Sequence, residues 1–439
     1  MRILYLLLYL LLNVGLRIFF KRAKTVNSKK GVGRTIFVCN HPAAFMDPLV
    51  VALYGGNAVH FMARADVFKP FLKPFFWAAH MLPIYRQLDG GDTQEKNKKV
   101  FVKTSEILRN NKNILIFGEG FTDEIFIRRL KPIKKGAFRI GFSALEAMDW
   151  QHNVYVNGLG CNYSSPNMAR SELLISYGMP ICLNDYRHDY EENPSRTIAI
   201  LTKKLELDII NQITHVENED WLEFHEQMMA LTRKGMHPIS YDSHYSLEQR
   251  HYYSKDLATK LNEATEGQLG HLESLKNEIK VYFSQLTSLG ITENERFLHE
   301  NNLWKISKRL IKMVVTLPFA LLGFVHAGLL YLLVKWFVEK QFERPVFWGS
   351  TKLLLLLTFV GLCNIPVIFL IANYFSSLGA GSALLIGISY YLLIWFYGLM
   401  AYSWKIDAIY IYRYFTTRKV NLTAVNATAS TLVDAVNSI

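Results

Sequence analysis

Cysteine is scarce in this chain of 439 residues: Cys39, Cys161, Cys182 and Cys363 are the only four, and their spacing pairs none of them. That excludes a disulfide framework and a cysteine-ligated zinc site, and it fits a reducing cytoplasmic compartment. No Gly-x-Ser-x-Gly elbow occurs, so a serine nucleophile of the α/β-hydrolase kind is not expected. Internal repeats and nucleic-acid-binding motifs are missing as well, which leaves nucleic acid out as a partner. His237, His244 and His251 recur every seven residues near Asp242 and Glu248, but no His-Glu-x-x-His pattern accompanies them. No metal is therefore expected there.

Apolar residues, by contrast, make up 50% of the chain and aromatics 13%. They collect at the N-terminus and after Leu310, whereas 184–309 is polar and charged. A formal charge of +12 suits work beside anionic phospholipid. The run Ile3 to Leu12 is apolar and is followed by Arg17, Lys21, Arg22 and Lys24. It is short for a bilayer crossing, and its charges lie on the wrong side for a signal peptide. Residues 1–30 read as an interfacial anchor helix whose basic end meets lipid head groups.

The densest chemical signal is Val38-Cys39-Asn40-His41-Pro42-Ala43-Ala44-Phe45-Met46-Asp47-Pro48. A neutral imidazole accepts a proton from an alcohol near pH 7, and a carboxylate a few residues away fixes its tautomer. His41 thus reads as a general base and Asp47 as its orienter; the other reading is a buried histidine satisfied by an acid. Further segments follow in order: Leu82-Pro83-Ile84-Tyr85-Arg86, Phe117-Gly118-Glu119-Gly120, Leu130-Lys131-Pro132-Ile133-Lys134-Lys135-Gly136, and Val154-Tyr155-Val156-Asn157-Gly158. Together these resemble the glycerol-3-phosphate and 1-acylglycerol-phosphate acyltransferase family over about residues 1 to 180. The resemblance implies that Glu119 and Gly120 line the acceptor site and that Arg86 and Lys134 contact a phosphate. Either cation has an alternative reading as a solvated surface charge.

The sequence departs from that pattern twice. Five residues instead of four separate His41 from Asp47, as in a subgroup of these enzymes, so a turn must absorb one residue; Pro42 and Pro48 favour an irregular one. Gly118 stands where proline precedes the glutamate, and Phe121-Thr122-Asp123 replaces a segment that carries an arginine.

Short apolar runs near 35–39, 58–63, 82–85, 113–117, 154–161 and 173–177 read as strands. Helical patterns lie near 47–54, 69–80, 92–110 and 137–148. The expected fold is α/β: a mixed sheet sandwiched by helices over 31–183, carrying the catalytic residues. A helical polar extension spans 184–309, with a stripe Ile198, Leu201, Leu205, Ile209 and Ile213. A membrane region spans 310–419: a re-entrant or interfacial segment at 313–334 with basic residues on both flanks, then a transmembrane hairpin over 353–404. The tail 420–439, rich in small polar residues, reads as disordered.

The expected function is transfer of a fatty acyl group from an acyl-CoA or acyl-carrier-protein thioester to a hydroxyl of glycerol 3-phosphate or a lysophosphatidate, at the cytoplasmic face of the cell membrane. The thioester is a co-substrate and no cofactor is called for. Two alternatives stand beside it: another lysolipid or a hydroxy-acyl aminolipid as acceptor, and a non-catalytic lipid-binding membrane protein.

Overall fold

The computed structural model describes residues 2–28, 33–55, 59–65, 68, 76, 79–85, 93–238, 244–299, 303–417 and 420–439. Among these, eight strands make one sheet: β1 (Phe20–Val26), β2 (Thr35–Cys39), β3 (Val59–Arg64), β4 (Met81–Ile84), β5 (Asn113–Phe117), β6 (Tyr155–Tyr163), β7 (Ser171–Tyr177) and β8 (Ile181–Cys182). Their order is β1-β7-β6-β2-β5-β3-β4, with β8 also on β6. The sheet is mixed: β6 runs antiparallel to β7 and β8, and the remaining pairs are parallel.

Alternation along the central strands supplies two hydrophobic faces. Ile36 and Val38 of β2 and Ile114 of β5 pack on one face against α3 (Thr93–Arg109), α4 (Gly136–Ala147) and α6 (Pro194–Gln212), numbered after α1 (Arg2–Phe19), α2 (Met46–Tyr54) and α5 (Arg187–Glu192). Phe37, Cys39 and Leu115 face the other side, against Leu16 and Phe19 of α1 and Met46, Val50 and Val51 of α2. A strand buried on both faces has no polar alternation, as expected for the centre of a largely parallel sheet.

Three expectations change. Residues 20–26, read as the basic end of an anchor helix, are an edge strand parallel to β7. Pairing there satisfies backbone groups that a frayed helix end would leave open, and the charges bind protein: Arg22 donates to Glu172 at 2.5 Å and Lys24 pairs with Glu248. The stripe Ile198, Leu201, Leu205 and Ile209 of α6 packs on the catalytic domain, as its spacing leads one to expect, but it does so as part of the core of the sheet, which carries that core past the boundary drawn at 183. The tail is ordered, as set out below. The helix expected near 69–80 falls largely outside the described residues.

Beyond α6 come helices α7 (Leu222–Thr232), α8 (Leu247–Asn262), α9 (Glu266–Ser288) and α10 (Glu293–His299), the first three with a core of their own that includes Trp221, Phe224, Met228, Leu272, Leu275 and Ile279. Residues 423–438 complete it as a helix that buries Val425, Ala429, Leu432 and Val436 in that core. Four apolar side chains at a helical spacing are enough to dock a segment that composition alone marks as polar.

The region between is apolar and helical: α11 (Leu303–Gly323), a π-helical turn (Phe324–Gly328), α12 (Leu329–Gln341), α13 (Trp348–Cys363), α14 (Ile365–Tyr374) and α15 (Ala380–Thr417), followed by the tail helix α16 (Thr423–Ser438). Three stretches, Trp304–Gln341, Pro345–Tyr374 and Ala380–Thr417, are long and apolar enough to cross a membrane. The first is not straight. Arg309 pairs with Asp407 and stacks on Tyr410 at 3.7 Å, while Tyr331, 22 residues further on, carries the Lys405 ammonium 5.1 Å from its ring. A straight helix would separate residues 309 and 331 by about 33 Å, farther than these side chains span. The run bends at the π-turn, a recurrent site of kinks.

Candidate active site

Strand β2 ends where Asn40 takes over its pairing with β6. The amide accepts from the Cys161 N–H at 2.8 Å and donates to the Cys161 carbonyl at 3.1 Å, so a side chain mimics one more rung of the ladder. The chain then leaves the sheet at His41. Residues 42–45 form a turn in which Ala44 takes φ 48°, and the Met46 and Asp47 N–H groups donate to the carbonyls of Ala43 and Ala44 at 3.0 and 3.2 Å. That left-handed residue absorbs the extra position between histidine and aspartate. Asp47 lands in the first turn of α2, with Pro48 beside it where a missing N–H is tolerated.

His41 and Asp47 meet. Nδ1 of His41 is 2.8 Å from Asp47 Oδ2, and the same oxygen accepts from the Ala43 N–H at 2.9 Å. Asp47 is fully buried. Its other oxygen accepts from the hydroxyl of Tyr163, the last residue of β6, at 2.7 Å. A carboxylate in this setting places the proton on Nδ1 and leaves Nε2 as the basic nitrogen. The imidazole stacks on Phe117 at 4.1 Å with planes 16° apart, so its orientation is fixed by a ring as well as by the carboxylate. Tyr163 was not a sequence candidate; no local spacing signals it, because the contact spans 116 residues.

The second acid sits behind the histidine. Glu119 Oε1 accepts from the His41 backbone N–H at 2.6 Å and Oε2 from the Lys131 N–H at 3.4 Å. Glu119 is 3% exposed, and burial pushes its carboxyl up to about 7 against the pull of those two donors. Gly118 uses its N–H on the Cys39 carbonyl at 3.2 Å, a bond that proline could not make. Gly120 has φ +78°, and a Cβ there would lie 2.5 Å from Lys134 Nζ. Lys134 therefore rests against the Glu119-Gly120 turn. Lys131, which the sequence reading passed over, joins it: its ammonium lies 4.1 Å from the Phe121 ring, with Lys134 at 5.9 Å, and it pairs with Asp123 at 2.7 Å. Arg86 lies outside the described residues.

Other candidates separate from this cluster. Cys39 is buried with its Sγ 3.5 Å from that of Cys161, and burial holds its thiol well above the ordinary range, unsuited to a nucleophile. Among the described residues no three His, Cys, Asp or Glu side chains converge to hold a metal. His237 and His251 are held near 4 by burial above all, and the exposed His244 does not join them.

The membrane region touches the site directly. Phe45, in the turn after His41, packs on Phe347 with ring centroids 5.3 Å apart, and Arg344 hydrogen-bonds the loop after Gly120. Leu353 and Leu357 of α13 enter the core beneath α1 and α2. Residues 18–156 match the family model described as Acyltransferase. This segment is similar to an acyltransferase domain. It spans β1 to the start of β6 and includes His41, Asp47, Glu119, Gly120, Lys131 and Lys134. No curated protein matches the chain.

Proposed function

We propose that this acyltransferase moves a fatty acyl group from a coenzyme A or acyl-carrier-protein thioester to a hydroxyl of glycerol 3-phosphate or a lysophosphatidate in phospholipid synthesis. The observation that carries the reading is the His41–Asp47 pair at 2.8 Å, with Nε2 left free of the carboxylate and two lysines beside the Glu119-Gly120 turn. His41 Nε2 takes the proton of the acceptor hydroxyl as its oxygen attacks the thioester carbonyl. The new C–O bond forms, the C–S bond breaks, and the departing thiolate takes the proton back from the imidazolium. Asp47 stabilises that imidazolium, and no enzyme nucleophile is required. Lys134 and Lys131 attract the acceptor phosphate, and Arg86 is a further candidate for that contact. The Asp123–Lys131 ion pair at 2.7 Å offsets one of these cations, which favours a zwitterionic lysolipid as the second acceptor class.

The apolar helices and their basic flanks support a place in the cell membrane with the catalytic domain on its cytoplasmic face. Contacts with the soluble parts flank the bent first segment: Arg413, on the helix paired with its start, donates to Glu295 at 3.0 Å, and Arg344, just past its end, binds Thr122. This supports a segment that enters and returns, followed by a hairpin of 345–374 and 380–417.

The test is purified protein in phospholipid vesicles with labelled acyl-CoA or acyl-carrier protein and a panel of acceptors. Acylation of glycerol 3-phosphate or lysophosphatidate, lost in His41→Ala, is expected. Transfer confined to acceptors without a phosphomonoester would overturn the acceptor class, and no transfer to any acceptor would overturn the activity.

A further inference from the structure

Loop 121–124 follows directly on Glu119-Gly120, yet the group that holds it comes from a position some 220 residues downstream. Arg344, in the short link between α12 and α13, donates from Nη2 to the Thr122 carbonyl at 2.5 Å, the Asp123 carbonyl at 2.9 Å and the Thr122 hydroxyl at 3.1 Å. Two residues on, the Val346 N–H donates to the Glu124 carbonyl at 3.0 Å. The guanidinium also lies 5.1 Å from the ring of Phe347, which itself packs on Phe45 beside His41. The link is therefore fastened to both walls of the site: the loop after Glu119 and the turn after His41.

A chain of contacts leads inward from that fastening. Asp123, whose carbonyl Arg344 holds, pairs with Lys131 through its carboxylate at 2.7 Å. Lys131 gives its backbone N–H to Glu119, and Glu119 receives the His41 N–H at 2.6 Å. The ammonium groups of Lys131 and Lys134 lie near the ring of Phe121, at the start of the same loop. Displacing the loop would move the lysines and the acid that backs the histidine, while the imidazole would keep its own bonds to Asp47 and its stacking on Phe117. All three oxygens are met by one nitrogen, Nη2, whose place is set by the planar guanidinium lying against Phe347; an ammonium on a flexible stem could reach the same oxygens but would be held there less firmly.

We propose that Arg344 is a positioning residue of the acyltransferase site: by clasping loop 121–124 it makes the membrane region part of the acceptor-binding wall. The inference rests on the acyltransferase reading above. It assigns to the link between α12 and α13 a role in acceptor recognition, with the thioester and the proton transfer left to His41 and its partners.

The experiment compares the full-length parent, Arg344→Gln and Arg344→Lys in phospholipid vesicles. Acceptor and donor KM are measured together with hydrogen exchange of residues 120–126. Arg344→Gln is expected to raise the acceptor KM at least tenfold with the donor KM within about twofold, to speed exchange in that loop alone, and to leave membrane insertion and melting close to the parent. Arg344→Lys is expected to recover part of the acceptor KM. Equal rises in both KM values, or an acceptor KM and a loop exchange equal to the parent's, would overturn the proposal. So would faster exchange spread through the whole sheet, which would mark Arg344 as a general support of the fold. A parent without acyl transfer indicts the acyltransferase reading; loop exchange then still reports whether Arg344 holds the loop.

Discussion

Asp47→Asn isolates the charge of the buried carboxylate from its hydrogen bonds. In the parent, one oxygen accepts from His41 Nδ1–H and the Ala43 N–H, and the other from the Tyr163 hydroxyl. An asparagine oxygen can keep the first two donors, and its amide N–H can donate to the Tyr163 oxygen once the hydroxyl hydrogen rotates away. The fold therefore survives with a penalty of about 1–2 kcal/mol, comparable to one rearranged buried hydrogen bond. What is lost is the negative charge facing the imidazolium that forms during transfer. Loss of a working general base costs roughly 10²–10⁴-fold in rate, or about 3–5 kcal/mol of barrier. The assay is steady-state acyl transfer with melting measured on the same preparations. Tyr163→Phe is the companion: it removes one of three donors and keeps the charge, so a fall of roughly tenfold is expected. An Asp47→Asn protein with parental kcat would refute the reasoning, since the charge would then do nothing for His41. A Tyr163→Phe defect as large as that of Asp47→Asn would show that the geometry of the carboxylate, more than its charge, sets the rate.

Glu119 has its carboxyl raised from 4.5 to about 7 by burial. Between those two pH values the folded protein holds a proton that the unfolded chain has released, so stability must fall as pH rises through that window and level off above it, by on the order of 3 kcal/mol in all. Glu119→Gln should remove this slope; melting temperatures of parent and variant that run parallel from pH 4.5 to 7 would contradict the assignment. For topology, single cysteines at Ser377 and Ser430 in a cysteine-free background, treated with an impermeant thiol reagent on intact cells, should label only at 377, in the turn between α14 and α15. Labelling at 430 would require the tail helix, and the extension it completes, to lie outside.

Much of the sheet was legible because its strands are short apolar runs bounded by turns: the expected 113–117 coincides with β5 and 35–39 with β2. The His41–Asp47 pairing was legible in composition, and the need for a turn to absorb the extra residue was legible in its spacing. The residue that absorbs it, Ala44 at φ 48°, was not, since alanine has no special claim to the left-handed region. Strand β1 was hidden for a different reason. Phe20-Lys21-Arg22-Ala23-Lys24-Thr25-Val26 is too basic to read as a strand, and it is stable as one only because β7 and the acids Glu172 and Glu248 wait at the sheet edge. The tail was hidden by small residues: Val425, Ala429, Leu432 and Val436 keep a helical spacing, but Thr, Asn and Ser between them mask it.

What sequence reading could least supply is the purpose of the polar extension, and the contacts of two buried arginines supply it. Arg128, 5% exposed, donates to the Tyr163 carbonyl at 2.9 Å, to the Met236 carbonyl at 2.5 Å and to Glu226 at 2.6 Å. It thereby ties the end of β6, whose tyrosine holds Asp47, to α7 and the segment that follows. Arg250 of α8, 1% exposed, reaches Glu172 on β7, the acid that also receives Arg22 of β1, and donates to the carbonyls of Gly235 and His237 at 2.7 and 3.1 Å. A buried cation that lost its partner would leave an uncompensated charge and cost several kcal/mol. The extension therefore cannot loosen without disturbing the strands on the β1 side of β2. Asp47 is buttressed from that side through Tyr163 and Arg128, and Glu119 is buttressed from the membrane side through Asp123 and Arg344. The two acids that hold His41 are thus braced by different parts of the chain, the extension reaching Asp47 through Tyr163 and the link reaching Glu119 through Asp123. Phe347 on Phe45 and Leu353 and Leu357 beneath α2 tie the membrane region to the Asp47 turn as well.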